Sequence, residues 1–194
     1  YLAPLLDVAI EKWDSLAGID LHGPESLPME AWTKPFWARA SSLGKVLKAH
    51  AGEFGPAQNV EQAVTQLGVR RIQHGIRASE SEEVMKLLLE EEVTLDLCPI
   101  SNYKLRVVDE QEEHPVRSFM ERGIRCTIST DDPLSFNNSL NQEYEVLVGS
   151  LGFSAREICQ LAKNGFSVAD LETGKATAYQ RQIDEIVENA CFDR

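Results

Sequence analysis

The chain has 194 residues, 43% of them hydrophobic and 26% charged, the composition expected of a globular domain long enough to bury a core. Nineteen basic against thirty-one acidic side chains leave a formal net charge of -12, a field that repels phosphate backbones and anionic surfaces and so argues against nucleic-acid and membrane partners. No apolar run approaches the roughly 18 residues of a membrane helix. The four cysteines, Cys98, Cys126, Cys159 and Cys191, are scattered without a CxxC pair, which fits a reducing, cytoplasmic setting better than a disulfide framework.

Leu5, Leu6, Ala9, Ile10 and Trp13 recur at helical spacing and predict an opening amphipathic helix. Leu16 to Leu21 reads as a short buried strand ending in His22-Gly23-Pro24-Glu25. A helix from about Pro35 to Leu43, stopped by Gly44, leads to a second strand from Val46 to His50. After a loop from Phe54 to Asn59, a helix runs to Leu67, and a third strand from Val69 carries His74-Gly75 at its end. Ser79 with Glu82 reads as a capping box opening a helix through Leu89. Val93 to Cys98 is the fourth strand, broken by Pro99, and a long loop to His114 precedes a short helix from Pro115 to Arg122. Arg125 to Thr130 is the fifth strand, stopped at Asp131-Asp132-Pro133, and helices are expected from Leu140, Ser154 and Gly174 onward. Strands that alternate with helices predict parallel strands with crossover helices in a single α/β domain spanning residues 1–194.

Polar groups gather where these strands end: Asp20 with Gly23, His50 with Glu53, His74, Ser101 with Asn102, and Asp131 with Asp132. Carboxyl ends of strands are where working residues collect in both barrels and open sheets. No glycine-rich phosphate loop follows any strand, so a (β/α)8 barrel is favoured, of which five strands are present. Imidazole and carboxylate are regular zinc donors, so His50 and Asp131 could ligate one metal ion and leave a position for water. Glu53 would then be the proton shuttle. A lone strand-end histidine is more often a structural hydrogen-bonding residue, Asp-Asp-Pro a turn cap, and a single glycine a turn.

Taken together, these segments resemble the adenosine/adenine deaminase family of zinc aminohydrolases, which are (β/α)8 barrels. The resemblance is carried by Gly18-Ile19-Asp20-Leu21-x-Gly23-x-Glu25, His50-Ala51-Gly52-Glu53, Gln73-His74-Gly75, Cys98-Pro99-x-Ser101-Asn102 and Ser129 to Pro133, with Glu143-Tyr144 following. It implies hydrolytic deamination of a 6-aminopurine, with zinc-activated water adding at C6 and ammonia leaving. It implies His50 and Asp131 as zinc ligands and Glu53 as the group that protonates N1. It further implies His74 as the residue that orients the attacking water, Asp132 as the partner of N7 and the Gly23 amide as the donor to N3. Two further zinc ligands in the family come from a His-x-His motif, which none of His22, His50, His74 and His114 forms. The chain also begins at tyrosine, so it is expected to be the C-terminal portion of such an enzyme, carrying about the last five βα units. His22 replaces a small residue beside Gly23, and Pro24 is unusual there. Two other functions compete: an amidohydrolase for another cyclic amidine such as a pterin, and an inactive fragment serving as an interaction module.

Overall fold

The computed structural model describes residues 3–109 and 113–191. Tyr1, part of the expected loop before His114, and the side chain of Cys191 lie outside the described residues. The elements in chain order are α1 (Ala3–Lys12), β1 (Gly18–Leu21), α2 (Thr33–Ser42), β2 (Val46–Ala51), α3 (Ala57–Leu67), β3 (Arg71–His74), α4 (Glu82–Glu90) and β4 (Thr94–Leu97). Then come α5 (Pro99–Lys104), α6 (Val116–Glu121), β5 (Arg125–Ile128), α7 (Pro133–Phe136), α8 (Leu140–Gly149), α9 (Ala155–Val168) and α10 (Lys175–Cys191). Among the described residues no helix is long and apolar enough to cross a membrane.

The chain divides into two compact units, residues 1–95 with 121–124, and residues 96–120 with 125–194. In the first, β1, β2, β3 and the opening of β4 are neighbours in that order. β1 and β2 run parallel with Gly18 opposite Val46, and β2 and β3 run parallel with Ala51 opposite His74. Alternation along β2 decides which face works. Ala49 and Ala51 are buried, while Lys48 and His50 share the other face with the polar groups. Trp37, Ala40, Val60, Val64, Ile72, Met85 and Leu88 form the core of this unit. β1 differs from the expected buried strand: Asp20 is exposed and its neighbours half-buried, because among the described residues β1 has a partner strand on one side only.

In the second unit the rest of β4 neighbours β5, with the Ser129 amide donating to the Leu97 carbonyl at 3.0 Å. Leu97, Phe119, Cys126, Leu147 and Leu161 are buried here. α9 begins with a complete capping box, Ser154 with Glu157. Arg117 links the helices around it, donating to Glu157 at 2.6 Å and to the Leu151 carbonyl at 2.8 Å while its guanidinium lies over the Phe153 ring.

Two local expectations are corrected. Ser81, not Ser79, caps α4, accepting the Val84 amide at 3.3 Å. Ser79 sits in a 3-10 turn over Ile76–Glu80, its hydroxyl donating to the Ile76 carbonyl. Pro99 does not merely break the chain: it opens α5 at a position where a missing N–H costs nothing, so Ser101 and Asn102 lie on a helix rather than in a loop.

Candidate active site

In the first unit the ends of β1, β2 and β3 bring Asp20, His50, Glu53 and His74 into one polar cluster. His50 Nδ1 lies 3.1 Å from Asp20 Oδ1, and Lys48 Nζ stands 3.9 Å from the other oxygen of the same carboxylate. A carboxylate on Nδ1 fixes the ring and leaves Nε2 as the nitrogen for a metal, the usual outer-shell arrangement for a ligating histidine. The His22 ring packs edge-on against His50 with centroids 4.5 Å apart, and His50 lies 5.4 Å from His74. His74 Nε2 is 3.4 Å from Glu53 Oε2, and both side chains are almost wholly buried. His74 holds a left-handed backbone at φ 65, a conformation a non-glycine residue adopts at some cost.

Glu53 follows β2 in a tight loop built on Gly52 at φ +72, where a Cβ would meet Val60 Cγ2 at 2.6 Å. The loop after β1 reaches across to it. Glu25 accepts the backbone amides of Gly52, Glu53 and Phe54 at 2.7, 2.9 and 3.0 Å. Burial pushes the Glu25 carboxyl up, but those amides and Asn59 together outweigh it and hold the group below the usual carboxylate range. The loop after β3 is tied to the same place by Gly75 and Arg77 amides that donate to the carbonyls of Ala51 and Gly52. Beside this cluster lies a cavity of about 240 Å³ lined by His22, Gly23, Glu25, Trp32 and His50 among others. Nothing stands within 4 Å of where a Gly23 Cβ would be, so its backbone is open to a ligand.

In the second unit Asp131, at φ 57, accepts the Ser101 hydroxyl at 2.6 Å on one oxygen. Asp132 is exposed and caps α7, accepting the Leu134 and Ser135 amides at 3.2 and 3.3 Å. The Ser135 hydroxyl, with those amides, holds its carboxyl below the usual range. Asn102 is pinned by His114, whose Nε2 lies 3.1 Å from Asn102 Oδ1 while Nδ1 accepts the Val116 amide. Asp96 accepts the hydroxyls of Thr127 at 2.8 Å and Ser129 at 3.0 Å. Burial pushes the Cys98 thiol up to about 12, Ser129 drawing it partly back, and burial also raises Cys126 and Cys159.

The model of the adenosine deaminase family matches residues 5–186. The chain belongs to that family. The adenine deaminase of Marinomonas sp. (strain MWYL1) is 36% identical over 173 residues, which make up 89% of this chain and 51% of that protein. Among solved structures, adenine deaminase from Arthrobacter aurescens matches with a TM-score of 0.88 at 32% identity, over 95% of this chain and 57% of that one. An amidohydrolase from Burkhoderia ambifaria with bound Zn matches with a TM-score of 0.83 at 26% identity, over 96% of this chain and 54% of that one. The chain spans about half the length of the curated relatives it matches. The fold is accordingly the α/β barrel type of this family, with five βα units in this chain.

The family's sequence motifs fall at the strand ends. Glu53 and His74 meet, with His50 beside them and Gly23 opening onto the adjacent cavity, all within the first unit. Asp131 and Asp132 lie in the second unit and diverge, one toward Ser101 and the other onto the start of α7. Asp20 and Glu25 are among the motif residues that the sequence reading quoted without a role. Asp20 carried a usable signal, a carboxylate between Ile19 and Leu21 on an otherwise apolar strand. Glu25 carried none, since a glutamate in a polar loop is ordinary and its partners are backbone amides far along the chain.

Proposed function

We propose that the five βα units belong to a zinc-dependent hydrolase that converts a 6-aminopurine, adenine or adenosine, to the 6-oxopurine and ammonia. The observation that carries the reading is the buried Glu53–His74 pair at 3.4 Å beside a histidine held by Asp20, in a chain of the adenosine deaminase family. Water attack at an amidine carbon needs a proton delivered to the ring nitrogen and a group that aims the water. Glu53 would deliver the proton to N1, and His74, within reach of the same carboxylate, would orient the water and pass its proton on. The Gly23 amide would donate to N3, and Asp132 would meet the ring edge at N7 by sharing a proton with that ring nitrogen.

His50 and Asp131 are the residues of this chain that would hold the metal. The donor chemistry fits, with His50 Nε2 left for it by the Asp20 contact and Asp131 retaining an oxygen beyond the Ser101 bond. When bound there, zinc would supply an activated water near neutral pH. The remaining ligands would come from a His-x-His motif that this sequence lacks. A small-molecule purine is then the partner, and the scattered cysteines, with no CxxC pair among them, favour a reducing, cytoplasmic setting.

The test joins this chain to the part of the Marinomonas relative that the match leaves uncovered, loads the product with zinc, and measures ammonia release from adenine, adenosine and a pterin. Release from adenine or adenosine is expected. Release from the pterin alone would move the assignment to another cyclic amidine, and stoichiometric zinc without any turnover would favour an interaction module.

A further inference from the structure

The loop that carries Glu53 is held from outside itself. Three consecutive amides, those of Gly52, Glu53 and Phe54, converge on the two oxygens of Glu25, and Asn59 adds its Nδ2 to one of them at 3.2 Å and to the Glu25 carbonyl at 3.0 Å. Successive amides turned the same way make an anion-binding concavity, and here the anion is a side chain of the same unit. The fit leaves no slack. A Cβ on Gly55 would come within 2.6 Å of Glu25 Oε2 and 2.9 Å of Glu25 Cβ, and Gly52 has no room for one either.

We propose that Glu25 is a positioning residue, which by gathering the amides of residues 52–54 sets the backbone at Glu53 and so aims the Glu53 carboxylate at His74 and at the purine. The proposal rests on the reading of Glu53 as proton donor; both Glu25 oxygens are engaged by the amides of residues 52–54, so it acts through that loop. A carboxylate suits this task where a neutral acceptor does not, because it offers two oxygens with four lone-pair sites and no donor. The bonds are charge-assisted, and their acceptor is fixed at both its side chain and its carbonyl.

Glu25→Gln preserves size but turns an NH2 toward backbone donors, whereas Glu25→Asp keeps the charge on a shorter arm. Amide hydrogen exchange of the 194-residue chain gives the first readout. In Glu25→Gln the amides of Gly52, Glu53 and Phe54 should exchange at least about tenfold faster, while Ile72 and Gln73 in β3 stay within about twofold. Wild-type protection at the three amides would overturn the proposal. If Glu25→Gln also opens β3, Glu25→Asp carries the same comparison.

Deamination by the zinc-loaded, N-terminally completed protein gives the second readout. kcat should fall about 10²-fold with KM changed less than about threefold, and Glu25→Asp should recover part of the loss. Added to Glu53→Gln, Glu25→Gln should cost nothing more, because it acts through that carboxylate; losses that multiply would overturn the proposal. Should no purine be deaminated, the functional reading falls, while exchange at the three amides still decides whether Glu25 holds the loop.

Discussion

Removing the Glu143 side chain should weaken the second unit by an amount that depends on pH in a stated direction. Glu143, in α8, is fully buried; one carboxylate oxygen accepts the Ile100 amide at 3.0 Å and the other accepts Asn138 Nδ2 at 2.6 Å. Ile100 lies in the first turn of α5, whose amides lack partners within the helix, and Asn138 also donates to the Thr130 carbonyl at 3.1 Å. Glu143→Ala therefore strands two part-buried donors, at about 1–3 kcal/mol each, partly offset because no carboxylate need then be buried. A net loss of about 2–3 kcal/mol corresponds to a fall in Tm of roughly 5–10 °C for a chain of this size.

Burial pushes the Glu143 carboxyl above its usual range, the Ile100 amide and Asn138 draw it back, and the charge of Asp131 adds to the rise. The native state thus holds this proton more tightly than the unfolded chain does. The stabilisation from Glu143 is full below the ordinary glutamate pKa of about 4.3 and declines as pH rises through the raised value. Thermal melts of wild type and Glu143→Ala between about pH 4 and 7 should show a gap that narrows with rising pH. A gap that widens over that interval, or stays under about 2 °C throughout, would refute the reasoning.

Three further outcomes are expected. Glu53→Gln in the completed protein should retain zinc, measured by metal analysis, and lose about 10²–10⁴-fold in kcat, the usual worth of an acid/base group; surviving activity would remove Glu53 from its role. Gly52→Ala, which needs a positive φ and room that Val60 occupies, should lower stability by about 1–3 kcal/mol in urea unfolding, with β3 amides still protected at low denaturant. The 194 residues alone should bind zinc weakly and turn over no purine, because two protein ligands rarely hold a catalytic zinc; stoichiometric tight binding would mean that another group, such as His22 whose ring packs against His50, has been recruited.

Much of the fold could be read from local rules. The strand positions followed from short apolar runs, and Gly44 and Gly68 ended α2 and α3 with the positive φ such stops require. What the chain alone did not disclose were choices settled by distant partners. Ser79 and Ser81 both precede a glutamate-rich turn, and only the 3-10 turn after Gly75 decides which of them caps α4. Pro99 after an apolar run reads equally as a stop or as the first residue of a helix. Residue type at strand ends singled out His50, Glu53 and His74, and the fold places these three side chains together. The local Asx reading of Asp132 is met in its capping of α7. Glu25 and Glu143 stood in the quoted motifs without a role, because each binds amide donors that only the folded chain brings to it.

The stitching of the first unit's loops also bears on how this scaffold could be re-engineered. Glu25 ties the segment after β1 to the segment after β2, and the Gly75 and Arg77 amides tie the segment after β3 to that same point. A barrel is usually treated as a rack of independent loops, each open to exchange for a new specificity. Here the three behave as one graft. Transplanting the β2–α3 segment without its neighbours would strand three amides on one side and a half-buried carboxylate on the other, so chimeras that move all three together should fold where single-loop exchanges fail.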